Sequence, residues 1–352
     1  MSFTEEEEVM IEQFSKLIDP IKQYLTEQNN YIAPASTQSL LAAIAAEQAP
    51  LLLVTTSTRN ADELSAEIAQ YLGESAVCNF PPWETLPHER LSPKSDTVTA
   101  RFKTLNSIGN KENKVVVTSI RALLQPIIKN DLAKSKISIS VGLDYELGNF
   151  VSDLSKFGFN RVDLVERRGD FAVRGGIVDI FPADQEHPIR IDYFSDQIEE
   201  ISYFSISDQR SLTKIEKIII YPCRELIIDE KIRDKAEKLG ERFTQLKELT
   251  EKVSEGIYFE GIESLAAGLI ENYSTLIEYL PVKSQIWFID QPRIISRSVD
   301  LIETNQEFLE AAWSNLAWSD QETLPLPVDL TKELERGGFN TCLLYTSPSP
   351  RD

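Results

Sequence analysis

The chain has 352 residues, 42% of them hydrophobic and 26% charged, which is enough for two or three domains with ordinary cores and too apolar for a disordered protein. With 36 Lys+Arg against 56 Asp+Glu its formal net charge is -20, and this opposes general attraction to the DNA polyanion. Cys78, Cys223 and Cys342 lie far apart and His88 and His187 are the only histidines, so the chain offers no zinc-ribbon spacing and no metal-ligand set, and it suits a reducing cytosol.

Met1-Ser2-Phe3-Thr4 followed by Glu5 to Glu8 has neither a basic n-region nor an apolar h-region, so it does not read as a secretory signal. No apolar run approaches the roughly 18 residues a membrane span needs. The expected location is therefore cytoplasmic, with no membrane partner. Residues 1–30 read as an acidic amphipathic lead-in helix with Ile11, Phe14, Leu17 and Ile18 at helical spacing. Tyr31 to Leu41 follows with no glycine and no lysine, and Ser36 and Thr37 there are candidates for a helix cap.

Pro50-Leu51-Leu52-Leu53-Val54 reads as a short buried strand. Asn60, with Glu63 three residues on, predicts the start of a helix with Leu64, Ile68, Tyr71 and Leu72 on one stripe before Gly73. Ala76 to Phe80 and Lys114 to Thr118 predict two more strands, the second leading into a helix capped by Ser119. Buried strands that alternate with helices imply a parallel sheet of the α/β class. Ile137, Ile139 and Val141 alternate as a strand, and Leu147, Phe150, Val151, Leu154 and Phe157 form a helical stripe ended by Gly158.

The most informative stretch is Arg167-Arg168-Gly169-Asp170-Phe171-Ala172-Val173-Arg174-Gly175-Gly176-Ile177-Val178-Asp179-Ile180-Phe181-Pro182, followed by Ile189-Arg190-Ile191-Asp192-Tyr193-Phe194. Both runs are rich in β-branched and aromatic residues and predict antiparallel strands, with a bulge or a close backbone approach at Gly175-Gly176. Period two puts Ile189, Ile191 and Tyr193 on one face and Arg190, Asp192 and Phe194 on the other, and it sets Phe171 and Val173 against Ala172 and Arg174. The sheet thus turns arginines and an aromatic outward. Such a face fits a solvated or helix-covered surface, a nucleic-acid contact, or the centre of a protein interface, where Arg and aromatic anchors dominate. Arg161, Arg167, Arg168, Arg174 and Arg190 read as a local basic cluster on an acidic chain.

Ile198 to Phe204 and Ile215 to Tyr221 predict further strands, stopped by Pro222. From Asp229 to Val253 a long charged helix carries Ile232, Ala236, Leu239, Phe243 and Leu246 at four-three spacing. This predicts a helix packed on its own domain, with a dimerisation seam as the alternative. Ile286 to Ile289 predicts an apolar strand ending at Asp290, a position suited to a magnesium ligand only if a phosphate loop supplies a lysine.

The phrase Gly169 to Pro182, continued by Pro188 to Ile198 and by Ser207-Asp208-Gln209-Arg210-Ser211-Leu212, closely resembles the UvrB-like interaction domain of bacterial transcription-repair coupling factors, the Mfd family. The resemblance covers about residues 30 to 340. It implies an α/β fold: a degenerate helicase-like, P-loop NTPase-type parallel-sheet domain at 31–130 and 222–325, interrupted by a small α+β UvrB-interaction domain at 131–221, with a linker beginning at 326–341. It also implies a partner-binding face for the excision-repair ATPase UvrA, with the contact residues falling on Arg174, Arg190 and Phe194. The phosphate loop of the related helicase UvrB aligns with Tyr31 to Leu41. Without glycine or lysine, Ser36 and Thr37 mark a degenerate loop not expected to bind nucleotide. Where UvrB carries a DNA-clamping hairpin, Phe80 to Pro93 is a short turn-rich loop. The family's RNA-polymerase-binding module, its ATP- and magnesium-dependent DNA translocase and its masking C-terminal domain match no segment here, so this stretch is expected to be non-catalytic and without cofactor. RNA polymerase and DNA would be partners of those other domains. The alternatives are a UvrB-type DNA-repair ATPase and a purely architectural domain. Residues 342–352 resemble an in-frame translation of a transposase sequencing adapter and are expected to stand outside the fold.

Overall fold

A computed structural model describes residues 18–23, 25, 30–85, 91–109, 114–129, 135–316 and 340–346. In chain order the elements are β1 (Asn30–Ala33), α1 (Ala35–Ala46), β2 (Leu51–Thr55), α2 (Thr58–Leu72), β3 (Val77–Phe80), α3 (Ser95–Gly109), β4 (Val115–Ser119), α4 (Ile120–Leu124) and β5 (Ile127–Ile128). The inserted part follows, with β6 (Ile137–Ser140), α5 (Leu147–Lys156), β7 (Asn160–Arg161), β8 (Asp170–Arg174), β9 (Ile177–Ile180), β10 (Ile189–Phe194), β11 (Gln197–Phe204), β12 (Ser211–Lys214) and β13 (Lys217–Ile220). The chain closes with α6 (Glu230–Arg242), α7 (Lys247–Ser254), β14 (Tyr273–Ser274), β15 (Gln285–Ile289), α8 (Gln291–Leu316) and β16 (Asn340–Thr346).

The large sheet has the order β1-β16-β15-β2-β4-β3 and every neighbouring pair is parallel. β2 explains why it is covered on both sides. Leu51 and Leu53 enter one core with Ile44, Ile68, Val115 and Trp287, while Leu52 and Val54 enter another with Leu105, Leu123, Ile286 and Ile294. A strand buried on both faces must be apolar throughout, as this one is. The α/β architecture and its inserted second sheet agree with the fold expected from the sequence.

The inserted sheet runs β12-β11-β10-β9-β8-β7, antiparallel except for the β7–β8 pair. One face packs on α5 and on the β6–β13 ribbon, burying Phe150, Leu154, Phe171, Val178, Ile180, Ile189, Ile191 and Ile201 in a core of its own. Gly158, at φ +78°, ends the α5 turn in the left-handed region, and an added Cβ would strike the Arg224 side chain. The chain returns to the parallel domain through Arg101 of α3, which is fully buried and ion-paired with Glu225. Arg101 also donates to Pro81 O at 2.9 Å and stacks over Phe80.

Several expectations are corrected. The α2 cap is Ser57, whose side chain accepts from Asn60 N at 3.2 Å, and Tyr71 of the predicted stripe is 56% exposed. α1 starts at Ala35 after Pro34 with no side-chain cap. Ser36 is exposed within its first turn, and the Thr37 hydroxyl donates backwards to Pro34 O at 2.9 Å, so neither residue caps the helix. Val141 lies beyond β6 and is exposed. The stretch from Asp229 to Val253 is two helices rather than one. Phe243 leaves helical geometry at φ -121°, ψ 89°, a short 3-10 turn follows, and α7 packs back on α6 around a local core of Ile232, Ala236, Leu239, Leu246 and Val253. A helical hairpin consumes the apolar stripe within the chain, which removes the dimerisation seam. Asp290 has φ +64° and pairs with Arg293 at 3.2 Å at the start of α8.

Residues 342–346, expected to stand outside the fold, lie in β16, which pairs with both β1 and β15. The run Cys342-Leu343-Leu344-Tyr345 has the apolar, β-prone composition of an internal parallel strand, and backbone pairing reads that composition whatever its origin. Ile11, Phe14 and Leu17, residues 86–90, most of the expected linker and residues 347–352 lie outside the described residues.

Candidate partner-binding face

The run Arg167 to Pro182, read as one strand with a bulge or close approach at Gly175-Gly176, is instead a tight β8–β9 hairpin, with Arg174 paired to Ile177 across those glycines. Gly175 takes φ +59°, and Gly176 lies so close to β10 that an added Cβ would stand 3.0 Å from Tyr193 O. Tyr193 N donates to Gly176 O at 2.8 Å, which draws the two hairpins together. The β10–β11 turn at Ser195-Asp196 uses φ +56° at Ser195 and leaves Phe194 at its rim. The glycines therefore make both a turn and a close approach. Both loops lie at one end of the sheet, carrying Arg174, Ile177 and Phe194.

Alternation along β10 holds as predicted. Ile189, Ile191 and Tyr193 join the inner core, and Arg190, Asp192 and Phe194 face outward. A register shift opposite Asp192–Tyr193 resets the phase of β11, so Ile198 and Ile201 both reach the inner core although three residues apart. The outward face has two zones. Near the start of β8 it is covered by Val165 packed on Ala172, Phe181 and Phe204. At the hairpin end it is open.

Arg190 sits on the boundary, and Asp179 explains why it does. Asp179 is directly opposite Arg190 in the register and its side chain is only 3% exposed. Its Oδ1 accepts from Arg190 Nε at 2.7 Å and its Oδ2 from a terminal guanidinium nitrogen at 2.9 Å. The other terminal nitrogen donates to Gln209 O at 3.1 Å, and the guanidinium lies 4.8 Å over the Phe204 ring. Arg190 is thus 18% exposed and committed on every edge, and its hydrogen bond to Asp179 raises its pKa. Arg174 differs. Its nearest carboxylate oxygen, on the same Asp179, is 3.9 Å away and its side chain is 52% exposed. Phe194 is 73% exposed. The three predicted residues share one face, but only Arg174 and Phe194 are open to a partner.

Sequence reasoning missed Asp179, Glu200 and Lys214 as neighbours of this face and gave Asp192 a direction but no environment. Asp192 is cross-strand to Glu200, and burial, then Glu200, push its carboxyl above the ordinary value near 3.8. Glu200 is itself ion-paired with Lys214. The open end is therefore of mixed charge. Asp179 was visible as the single acid in Ile177-Val178-Asp179-Ile180, where a carboxylate between buried strand residues demands a cation. The expected five-arginine cluster is split along β8. Arg167 and Arg168 precede its first residue, with Arg168 donating to Gln185 O, and Arg174 is its last.

A cavity of about 310 Å³ beside β1 and α1 is walled by Ile21, Leu25, Tyr31 and Leu41, and among the described residues neither Ser36, Thr37 nor any cationic side chain lines it. Among the described residues no group of His, Cys, Asp and Glu could hold a metal ion, and no helix is long and apolar enough to cross a membrane.

A family described as the UvrB interaction domain matches residues 137–226, which contain the whole inserted sheet. Over 326 residues the chain is 38% identical to the transcription-repair-coupling factor of Mycobacterium tuberculosis, covering 88% of this chain and 26% of that protein. The factor of Haemophilus influenzae is 30% identical over 245 residues, with 68% and 21% covered, and that of Bacillus subtilis is 26% identical over 317 residues, with 84% and 27% covered. The chain spans about a quarter of the length of these relatives.

Proposed function

From a chain that corresponds to the N-terminal, UvrB-like region of the transcription-repair-coupling factors and carries their UvrB interaction domain, we propose a docking module of transcription-coupled excision repair that recruits UvrA to a stalled RNA polymerase. The observation that carries this reading is the open end of the inserted sheet, where Arg174 and Phe194 stand exposed beside an Arg190 already fixed by Asp179. An aromatic and an arginine held on rigid strands are the residue types that dominate interface energies, and they lose little conformational freedom on docking. The module acts without chemistry of its own. Translocation, RNA polymerase and DNA belong to other regions of a full-length relative, and the β1–α1 junction, from Ala33 through Pro34 into the first turn of α1 at Ala35-Ser36-Thr37, offers no glycine amides or lysine for a nucleotide.

Calorimetric titration of the chain against UvrA from the same source tests the reading. Micromolar or tighter binding, weakened at least about tenfold by Arg174→Ala with Phe194→Ala in a folded protein, supports it. Absence of binding by a folded sample moves the chain to a purely architectural role, and ATP turnover by the purified chain would return the UvrB-type enzyme reading.

A further inference from the structure

A cleft of about 960 Å³ opens where β6 and α5 of the inserted domain meet α6 and residues 269–272. Five lysines line it, Lys129, Lys136, Lys156, Lys231 and Lys235, against Asp153, Asp229 and Glu271. This local excess of positive charge lies on a chain of formal net charge -20.

The carboxylates are already engaged. Asp153 takes Lys156 at 2.9 Å on one oxygen and the Tyr145 hydroxyl at 2.6 Å on the other. Asp229 caps α6 by accepting from Ile232 N at 2.9 Å. Glu271 pairs with Lys235 at 3.0 Å, and that ammonium also donates to Leu269 O at 3.1 Å. Among the described residues, Lys129, Lys136 and Lys231 have no carboxylate within ion-pair distance. Among the described residues these three ammonium groups share one concavity without a carboxylate partner, and they repel each other, a cost that an anion offsets.

The lining also includes buried apolar side chains, Ile128, Ile137, Phe157 and Ile232, with half-buried Tyr145 beside them. A ligand with a charged end and a flat apolar end matches such a lining. The volume stands at the upper end of the roughly 300–1,000 Å³ of small-molecule sites. A long nucleic acid would run out of the cleft onto an acidic protein, whereas a compact polyphosphate ends inside it. We propose that this cleft binds a compact polyphosphate of nucleoside-triphosphate size, its phosphates held by Lys129, Lys136 and Lys231. This is a binding site only, and it is separate from the β1–α1 loop and from the docking face.

The test is calorimetric titration of the full chain with ATP and with inorganic tripolyphosphate at roughly 0.1 M salt. It uses wild type, the triple variant K129A/K136A/K231A, and a control triple K114A/K217A/K238A on exposed lysines outside the cleft. Far-ultraviolet circular dichroism verifies that each variant is folded. The expected result is saturable binding, at least about tenfold weaker in the cleft triple and within about twofold in the control. ATP binding tighter than tripolyphosphate identifies a nucleotide whose base uses the apolar lining, and equal affinities identify an inorganic polyphosphate. No binding of either probe up to about 1 mM, or equal losses in both triples, overturns the proposal.

Discussion

Asp179→Asn is the most discriminating substitution at the proposed docking face. It preserves shape but removes the charge that receives two Arg190 hydrogen bonds at 2.7 and 2.9 Å, on a side chain 3% exposed. Breaking a buried ion pair from one side typically costs about 3–5 kcal/mol. Arg190 keeps 18% exposure and its bond to Gln209 O, so water and that carbonyl recover part of the loss and the expected cost is about 2–3 kcal/mol. In urea this lowers the unfolding midpoint by roughly 1 M at an ordinary denaturant sensitivity. Arg174→Ala, on a side chain 52% exposed, leaves the midpoint within about 0.3 M while weakening UvrA binding. Arg190→Lys follows Asp179→Asn rather than wild type, because an ammonium cannot engage both carboxylate oxygens and Gln209 O in one plane. Unfolding curves for the three variants, taken beside UvrA titrations, separate the arginine that holds the face from the one proposed to meet UvrA. An Asp179→Asn protein within about 0.5 kcal/mol of wild type would refute this, making Arg190 an ordinary screened surface charge.

Phe194→Ala removes a ring that is 73% exposed, so it leaves thermal stability unchanged and weakens UvrA binding by roughly 2–4 kcal/mol in titration. Gly176→Ala forces a methyl to 3.0 Å from Tyr193 O and destabilises the inserted domain by about 1–3 kcal/mol, read by amide exchange of β9 and β10. Asp192 has a folded-state pKa above its ordinary value near 3.8, through burial and then Glu200, so the folded state binds the proton more tightly than the unfolded chain does. Its contribution is fully present below the unfolded pKa and is lost as pH rises through the folded one. Asp192→Asn should therefore gain stability over wild type between acidic and neutral pH, and urea midpoints at pH 4 and pH 7 that show the reverse would contradict the assignment. Arg101→Ala removes the buried guanidinium paired with Glu225, whose side chain is 3% exposed, and costs about 2–3 kcal/mol in denaturation, whereas Arg101→Met costs less because it fills the space.

Local signals carried well where the chemistry was local. Leu51 to Val54 could only be a strand covered on both faces, and Ile189-Arg190-Ile191-Asp192-Tyr193-Phe194 could bury only its odd members, so the strands and the outward residues were legible. Misreadings came where neighbours decide. Asn60 is as good a cap as Ser57 by type, and only the chain's entry angle selects Ser57. The stripe from Ile232 to Leu246 carries no mark of the break at Phe243, because folding α7 back onto α6 satisfies the same apolar spacing as one long helix.

The sequence by itself determined the parallel α/β class, the strands at Leu51 to Val54 and Ile189 to Phe194, and the outward direction of Arg190, Asp192 and Phe194, since period, composition and turn chemistry act over a few residues. Tertiary structure decided what those residues are free to do. Arg174 and Arg190 are equal as letters, but the register sets Arg190 opposite a buried Asp179 and beside Phe204, while Arg174 ends its strand at an open hairpin. Charge pairing depends on distance through space, which alternation along one strand does not encode, so the difference between a fixed arginine and a presented one exists only in the folded sheet.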